Sequence, residues 1–319
     1  MTRSFTEQDI KILSSEFDVK TIDFNLSKKT VIPLGLRILC GVIWADVTFS
    51  WFADLHAVIA VFLSRLFRKK SIVVAGGYDV ACEPEIDYGL MRFPKSRLAR
   101  AVRFALQKAN RVLAVSEFNK QETLKYANDD QIILVYNAVD CDNFQPKGKK
   151  DDRLVVTVAG ITNQTLDRKG LTTFVKAAHY LPDVKFIVIG KDYDASLHTL
   201  QKMSSENVEF IGYVPFDEIK IWYQKAQVYC QLSYYESFGL SLAEAMACEC
   251  VPVVTGKAAL PEVVGSTGFC VPYGNPKETA EAIKKALCSS NGRQARMRIK
   301  ELFPIEKRRN DLIALVERL

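Results

Sequence analysis

Short apolar runs with strand spacing alternate with longer helical runs twice along this chain, on either side of a polar linker. In the first series, 19–24, 46–51, 71–75, 111–115 and 131–136 read as strands, with helical spacing over 55–67, 96–109 and 117–126. Segment 145–152 is charged and carries Pro and Gly, so it reads as the interdomain linker. After it, strands are expected at 154–159, 185–190, 208–212, 228–232, 251–255 and 269–271. Helices are expected at 171–180, 216–224, 239–247, 277–287 and, following Pro304, 305–319. Such alternation predicts two α/β domains, each a doubly wound parallel sheet, over 1–147 and 148–304. The chain opens on a predicted helix from Ser4 to Leu13, with Thr6 as its cap and Ile10, Leu13 and Phe17 on one face.

Composition excludes several classes. A chain of 319 residues with 48% hydrophobic and 25% charged residues has material for two globular cores. Its first residues lack the apolar core of a secretory signal. The most apolar region, 31–67, is broken by Arg37, Asp46, Asp54 and Arg65 before any stretch reaches membrane-spanning length, and reads as helix, strand and helix. The eight cysteines therefore read as reduced packing thiols of a cytoplasmic protein. Cys248 and Cys250 lack the spacer and second ligand pair of a zinc site, and no metal is expected. From Arg92 to Arg111 there are seven basic residues and no acidic one. That run reads either as a contact with an anionic membrane surface or diphospho-lipid acceptor, peripheral at the inner membrane, or as a solvated helix face. No nucleic-acid recognition motif accompanies it.

The chemistry concentrates in Glu236-Ser-Phe-Gly-Leu-Ser-Leu-Ala-Glu244, which runs on through Ala-Met-Ala-Cys-Glu-Cys to Val251. It reads as turn, helix and strand, with Ser237 capping the helix and Leu240, Ala243 and Ala247 facing the sheet. Free amides at such a helix start suit a phosphate. Carboxylates before the start and on the second turn suit the hydroxyls of a sugar and a ribose.

This spacing resembles the E-x7-E motif of retaining glycosyltransferases of family 4, and the resemblance runs over the whole chain from Ser4, most specifically from Gly160 to Pro272. It implies a GT-B fold, two Rossmann-like domains facing across a cleft, with helix 305–319 packing back on the first domain. It implies transfer of a hexose-type sugar from a nucleotide-sugar donor to a sugar or lipid-linked acceptor hydroxyl with retention, in glycan or glycolipid synthesis. No cofactor is implied, the nucleotide-sugar being a substrate. Glu236 and Glu244 would hold donor sugar and ribose, and Ser237, Phe238, Gly239 and Leu240 would present backbone donors. In Ala159-Gly-Ile-Thr-Asn-Gln-Thr-Leu-Asp-Arg-Lys-Gly170, Gly160 lines the donor, and Arg168 and Lys169 match the family's basic residues that neutralise the diphosphate. Tyr213 and Val214 fall where backbone meets the base.

In the first domain, Gly76, Gly77 and Asp79 stand in a loop that often carries a His-Gly pair, and Ser116 and Asn137 end strands on the cleft side. His56 is either a partial substitute for the missing histidine or a packed core residue. The sequence departs from the family at Gly76, at Ile161, where an arginine is frequent, and before Ser4, where an opening strand and Gly-rich loop are expected. Asp140-Cys-Asp142 reads as a capping turn, not a metal motif. Two other readings stay open: a non-catalytic nucleotide-sugar-binding relative, and a UDP-sugar epimerase of the same fold.

Overall fold

The computed structural model describes residues 4–23 and 31–319, which divide into two compact units: one up to Tyr136 with Glu306–Leu319, the other Asn137–Ile305. The linker expected at 145–152 therefore lies inside the second unit.

In the first unit, α1 (Ser4–Ser14) and α2 (Val31–Trp44) precede β1 (Val47–Trp51), α3 (Leu55–Leu66), β2 (Lys70–Ala75), α4 (Arg97–Lys108), β3 (Arg111–Ala114), α5 (Glu117–Leu124) and β4 (Ile132–Leu134). All pairings are parallel, in the order β1-β2-β3-β4. Sequential order means that the described sheet winds in one direction only, without the reversal expected of both domains. β2 is buried along all but its first residue, whereas β1, at the edge, is mostly half-buried.

The strand expected at 19–24 is not formed over 19–23, and Phe24 lies outside the described residues. Ile22 instead packs on Leu34, Ile38 and Val42 of α2, and Arg37 donates to the Asp23 carbonyl at 3.1 Å. The apolar residue has found a helix face in place of a ladder. Thr6 lies within α1, which starts two residues earlier than its expected cap. The inward face of α1 is Asp9, Ile12 and Leu13, while Ile10 and Phe17 are only half-buried.

Asp9 is inside because of α14 (Ile305–Glu317), the helix that returns to this unit. Arg308 grips both Asp9 oxygens, at 2.6 and 2.7 Å, and donates to the carbonyls of Val135 and Tyr136 beyond β4. The Trp51 indole adds a third bond to Asp9 at 3.0 Å. One buried, fully hydrogen-bonded ion pair thus fastens α1 and α14 to both edges of the sheet.

The second unit contains β5 (Asp151–Val158), α6 (Asn163–Arg168), α7 (Leu171–Ala177), β6 (Lys185–Ile189), α8 (Leu197–Met203), β7 (Val208–Gly212), α9 (Phe216–Lys225), β8 (Ala226–Gln231), α10 (Leu240–Ala247), β9 (Val251–Thr255), α11 (Leu260–Val264), β10 (Phe269–Val271), α12 (Pro276–Leu287) and α13 (Gly292–Leu302). Its six parallel strands run β10-β9-β8-β5-β6-β7. The order reverses between β5 and β8, which is where a doubly wound sheet opens a crevice at its carboxyl ends. The core is Val155, Phe186, Val188, Val228, Val251 and Val253 from the strands, packed against Phe174, Leu171 and Ile283 from the helices.

Candidate active site

The loops leaving β5 and β8 meet at this reversal, and glycines set their course. Gly190 brings the β6 exit so close to β5 that a Cβ there would lie 1.8 Å from the Ala159 carbonyl oxygen. Gly170 starts α7 at φ 68°, and its added Cβ would lie 2.1 Å from the Leu232 carbonyl oxygen, so only glycine fits. That contact, with the Tyr234 amide donating to the Arg168 carbonyl at 2.8 Å, zips segment 168–170 onto the β8 exit. Before it, α6 forms where a loop is expected; Thr162 and Thr165 cap its start reciprocally.

These constraints put Lys169 against Glu236, Nζ to Oε1 at 2.5 Å. The same oxygen accepts from Gln231 Nε2 and Ser233 Oγ, each at 2.8 Å, and Gln231 in turn accepts from the Tyr229 hydroxyl at 3.0 Å. Burial is the largest influence on Glu236 and raises its pKa. The Lys169 charge and hydrogen bond, the Ser233 hydroxyl and the Arg168 charge together outweigh it and hold the carboxyl below its ordinary value. Glu236 is therefore a fixed anion with a cation on one side. Gln231, Ser233 and Tyr229 escape the sequence reading. The one readable signal is a glutamine at the carboxyl end of a mostly buried strand, where a buried amide must find partners.

α10 begins at Gly239 with φ 94°, not at the expected cap Ser237, and no side chain caps it. Its first amides have no acceptor within the helix. Phe238 is buried with its ring edge-on to Phe303 at 5.2 Å, so only its backbone is available to a ligand. Leu240 is half-exposed, and 242–247 are buried on every side, a broader buried surface than the single stripe expected. α13 supplies the outer cover: Arg296 donates to the Ala247 carbonyl at the end of α10 and to the Phe144 carbonyl at 2.9 Å.

Glu244 sits within that buried helix, and desolvation pushes its carboxyl up to about 8. Tyr229 is raised well above its usual range, first by burial and then by both Glu236 and Glu244. The two acids of the motif thus share one neighbourhood in opposite protonation regimes.

Other expected positions lie elsewhere. Gly160 follows β5, under the Tyr193 ring; Tyr213, 59% exposed, and Val214 leave β7. The backbones of these exits are joined by Gly190 donating to the Gly212 carbonyl and Tyr193 to that of Ile161. Ile161 itself is buried in the core, which accounts for an apolar side chain where an arginine is frequent.

In the first unit, Gly76 is required sterically. A Cβ there would lie 1.8 Å from the Phe52 ring, and Phe52 holds a left-handed φ of 68° beyond β1. Asp79 is buried and takes backbone donors at both oxygens: Gly77 at 2.7 Å, Ala53 at 2.8 Å and Gly76 at 3.1 Å. Burial raises its pKa despite those bonds. Its carboxylate shapes the loop. Ser116 is fully buried and caps α5 through the Asn119 amide, and Asn137 opens the second unit. His56 is held through Nε2 to the Trp51 carbonyl at 3.0 Å, with its pKa lowered chiefly by burial, which is the packed reading of that residue. Asp140 Oδ1 accepts from the amides of Asp142 and Asn143, as a capping turn does.

Known proteins share this fold and parts of this sequence. A phosphatidylinositol N-acetylglucosaminyltransferase subunit from Arabidopsis thaliana is 23% identical over 242 residues, covering 71% of this chain and 53% of its own. The O-antigen chain mannosyltransferase B of Escherichia coli is 26% identical over 198 residues, covering 55% of this chain and 52% of its own. The chain thus spans about half the length of these curated relatives. Among solved structures, Anabaena HepE in complex with UDP-glucose superposes with a TM-score of 0.78 at 17% identity, covering 97% of this chain and 89% of that one. Sucrose-phosphate synthase from Thermosynechococcus elongatus gives 0.75 at 18%, covering 94% and 81%. The family of Glycosyl transferases group 1 matches residues 140–301, just over half of the chain and nearly all of the second unit. On that match the chain belongs to the group 1 glycosyl transferases, on a GT-B fold.

Proposed function

We propose that the chain transfers a sugar from a nucleoside diphosphate sugar to an acceptor hydroxyl, with retention of anomeric configuration. The observation that carries this reading is the Lys169–Glu236 pair beside the uncapped start of α10, at the strand-order reversal of the second sheet. The diphosphate would lie between the first amides of α10 and the cations Arg168 and Lys169, which stabilise charge as the nucleotide leaves. Glu236, kept anionic, accepts from the sugar hydroxyls, and Glu244 accepts from the ribose. The bond from the anomeric carbon to the phosphate oxygen breaks, the bond to the acceptor oxygen forms on the same face, and the acceptor proton passes to the departing phosphate. That route needs no separate protein base.

The ligand of the Anabaena structure makes UDP-glucose the first donor to test. Relatives in phosphatidylinositol and O-antigen glycosylation direct the acceptor search to lipid-linked glycans. The experiment is nucleotide release from a panel of UDP- and GDP-sugars, with and without such acceptors, and anomeric analysis of the product. Acceptor-dependent release with an α-linked product from an α-linked donor is expected. Tight donor binding without release under any acceptor would favour a binding protein, and free epimerised sugar would favour an epimerase.

A further inference from the structure

The outer surfaces of α2 and α3 are rich in exposed apolar side chains. These helices pack on each other through Leu34, Ile38 and Val42 against Ala60, with Ile59 and Leu63 alongside. Their opposite sides nonetheless expose large apolar side chains: Leu36 at 60%, Ile43 at 55% and Trp44 at 40% on α2. On and just after α3, Phe62 is 55% exposed, Leu66 64% and Phe67 41%. Leu36 and Ile43 are seven residues apart and Phe62 and Leu66 four, so each pair lies on one stripe of its helix and these are two apolar faces, not scattered residues.

The charges around these residues have one dominant sign. Exposed Arg37 adjoins Leu36, exposed Arg65 and Arg68 flank Leu66 and Phe67, and Lys20 lies 3.9 Å from the Trp44 ring centre. Arg65 also donates to the Lys108 carbonyl at 3.4 Å, joining α3 to α4 and its exposed Arg97 and Arg100. α2, α3 and α4 contain no acidic residue. Among the acids nearby, Asp46 is paired with Lys69, Asp54 caps α3, and Asp23 is exposed beside Arg37.

We infer that the exposed apolar faces of α2 and α3 seat the chain on an anionic lipid bilayer, their apolar side chains entering the headgroup boundary and the surrounding arginines meeting lipid phosphates. Charge decides between occupants. A protein partner would be expected to meet polar residues of both signs at the rim, whereas a cationic rim around Trp, Phe and Leu is what a bilayer surface recognises. Among the described residues no helix is long and apolar enough to cross a membrane, so the contact is one of lying on the surface. The inference rests on the first unit alone and is independent of the donor site in the second.

The test is co-sedimentation of the full chain with phosphatidylcholine vesicles and with mixed phosphatidylcholine–phosphatidylglycerol vesicles. Binding to the mixed vesicles alone is expected, weakened but not abolished by salt. The double variants Phe62→Ser/Leu66→Ser and Arg65→Glu/Arg68→Glu should each lower partitioning by at least about tenfold, with unchanged thermal unfolding. Absence of wild-type binding, equal binding to both vesicle types, or variants that sediment like the wild type would overturn the inference. So would a wild-type dimer in sedimentation velocity that Phe62→Ser/Leu66→Ser abolishes while vesicle binding persists, since the face would then be a protein interface.

Discussion

Asp79 and Glu236 are both mostly buried carboxylates on loops that leave a parallel strand, yet they are held in opposite ways. Asp79 in the first unit has backbone amides at both oxygens and a raised pKa. Glu236 in the second is met by a lysine, an amide and a hydroxyl, and its pKa is lowered. The sheets beneath them differ in the same sense. One runs in sequential strand order, and the other reverses between β5 and β8. A carboxylate that closes a loop with backbone donors serves shape. One held by side chains at a strand-order reversal keeps a charge where a polyanion can be met.

The sharpest way to break this contrast is at its structural anchors. Asp9→Asn leaves Arg308 buried without a counter-charge and should cost about 3–5 kcal/mol in denaturant unfolding. Stability close to the wild type would mean that the pair does not fasten α1 and α14. Gly170→Ala forces a Cβ against the Leu232 carbonyl at a left-handed φ and should cost about 2–3 kcal/mol. Gly76→Ala should destabilise by about 1–3 kcal/mol, and Phe52→Ala in the same chain should return part of that loss. Additive losses would show that the Phe52 ring is not what demands glycine there.

Lys169→Ala tests the chemistry. It should reduce transfer at least about tenfold, equivalent to about 1.4 kcal/mol, and remove the largest influence that lowers the Glu236 pKa, so that it rises. Since the wild-type Glu236 pKa is depressed, its contribution to stability is present above the ordinary carboxylate range and fades as pH falls through the folded value. Lys169→Ala should flatten that acid limb of the stability curve.

The smallest effect is expected at Glu244. Its folded pKa of about 8 lies above the ordinary range, so its contribution favours the native state at low pH and is lost as pH rises toward 8. If the proposed ribose contact draws on the ionised form, donor affinity should climb by up to about tenfold per unit below about pH 8 and level off above it. Glu244→Gln should remove that slope, weaken the donor, and leave the stability curve flatter between the ordinary carboxylate range and about pH 8. A donor titration at three pH values checks all but the last, which thermal unfolding reads.

Most of the second unit was legible because its strands are continuous β-branched runs and its motif fixes the spacing of Glu236 and Glu244. Arg168 and Lys169 stand out through the resemblance of their Arg-Lys-Gly run to that of the family, and the structure puts Lys169 against Glu236. Ser237 was misread as a cap because side-chain preference says nothing of a left-handed glycine two residues later. Gln231 and Ser233 escaped notice because their importance comes from the register that aims them at one oxygen. The strand expected at 19–24 failed because alternation cannot say whether a neighbouring strand is there to pair with. Helices α6, α8, α11 and α13 are short or strongly polar, and packing more than periodicity holds them. Arg308 and Asp9, 299 residues apart, carry no local signal of each other.

Hydrogen exchange of the full chain, with and without saturating UDP-glucose or another nucleotide-sugar that binds, addresses the donor site most directly. Protection is predicted at the backbone amides of 168–171 and 240–242, the two segments that meet at the reversal of the second sheet. A bound nucleotide-sugar that leaves both segments exchanging as in the free chain would contradict the account.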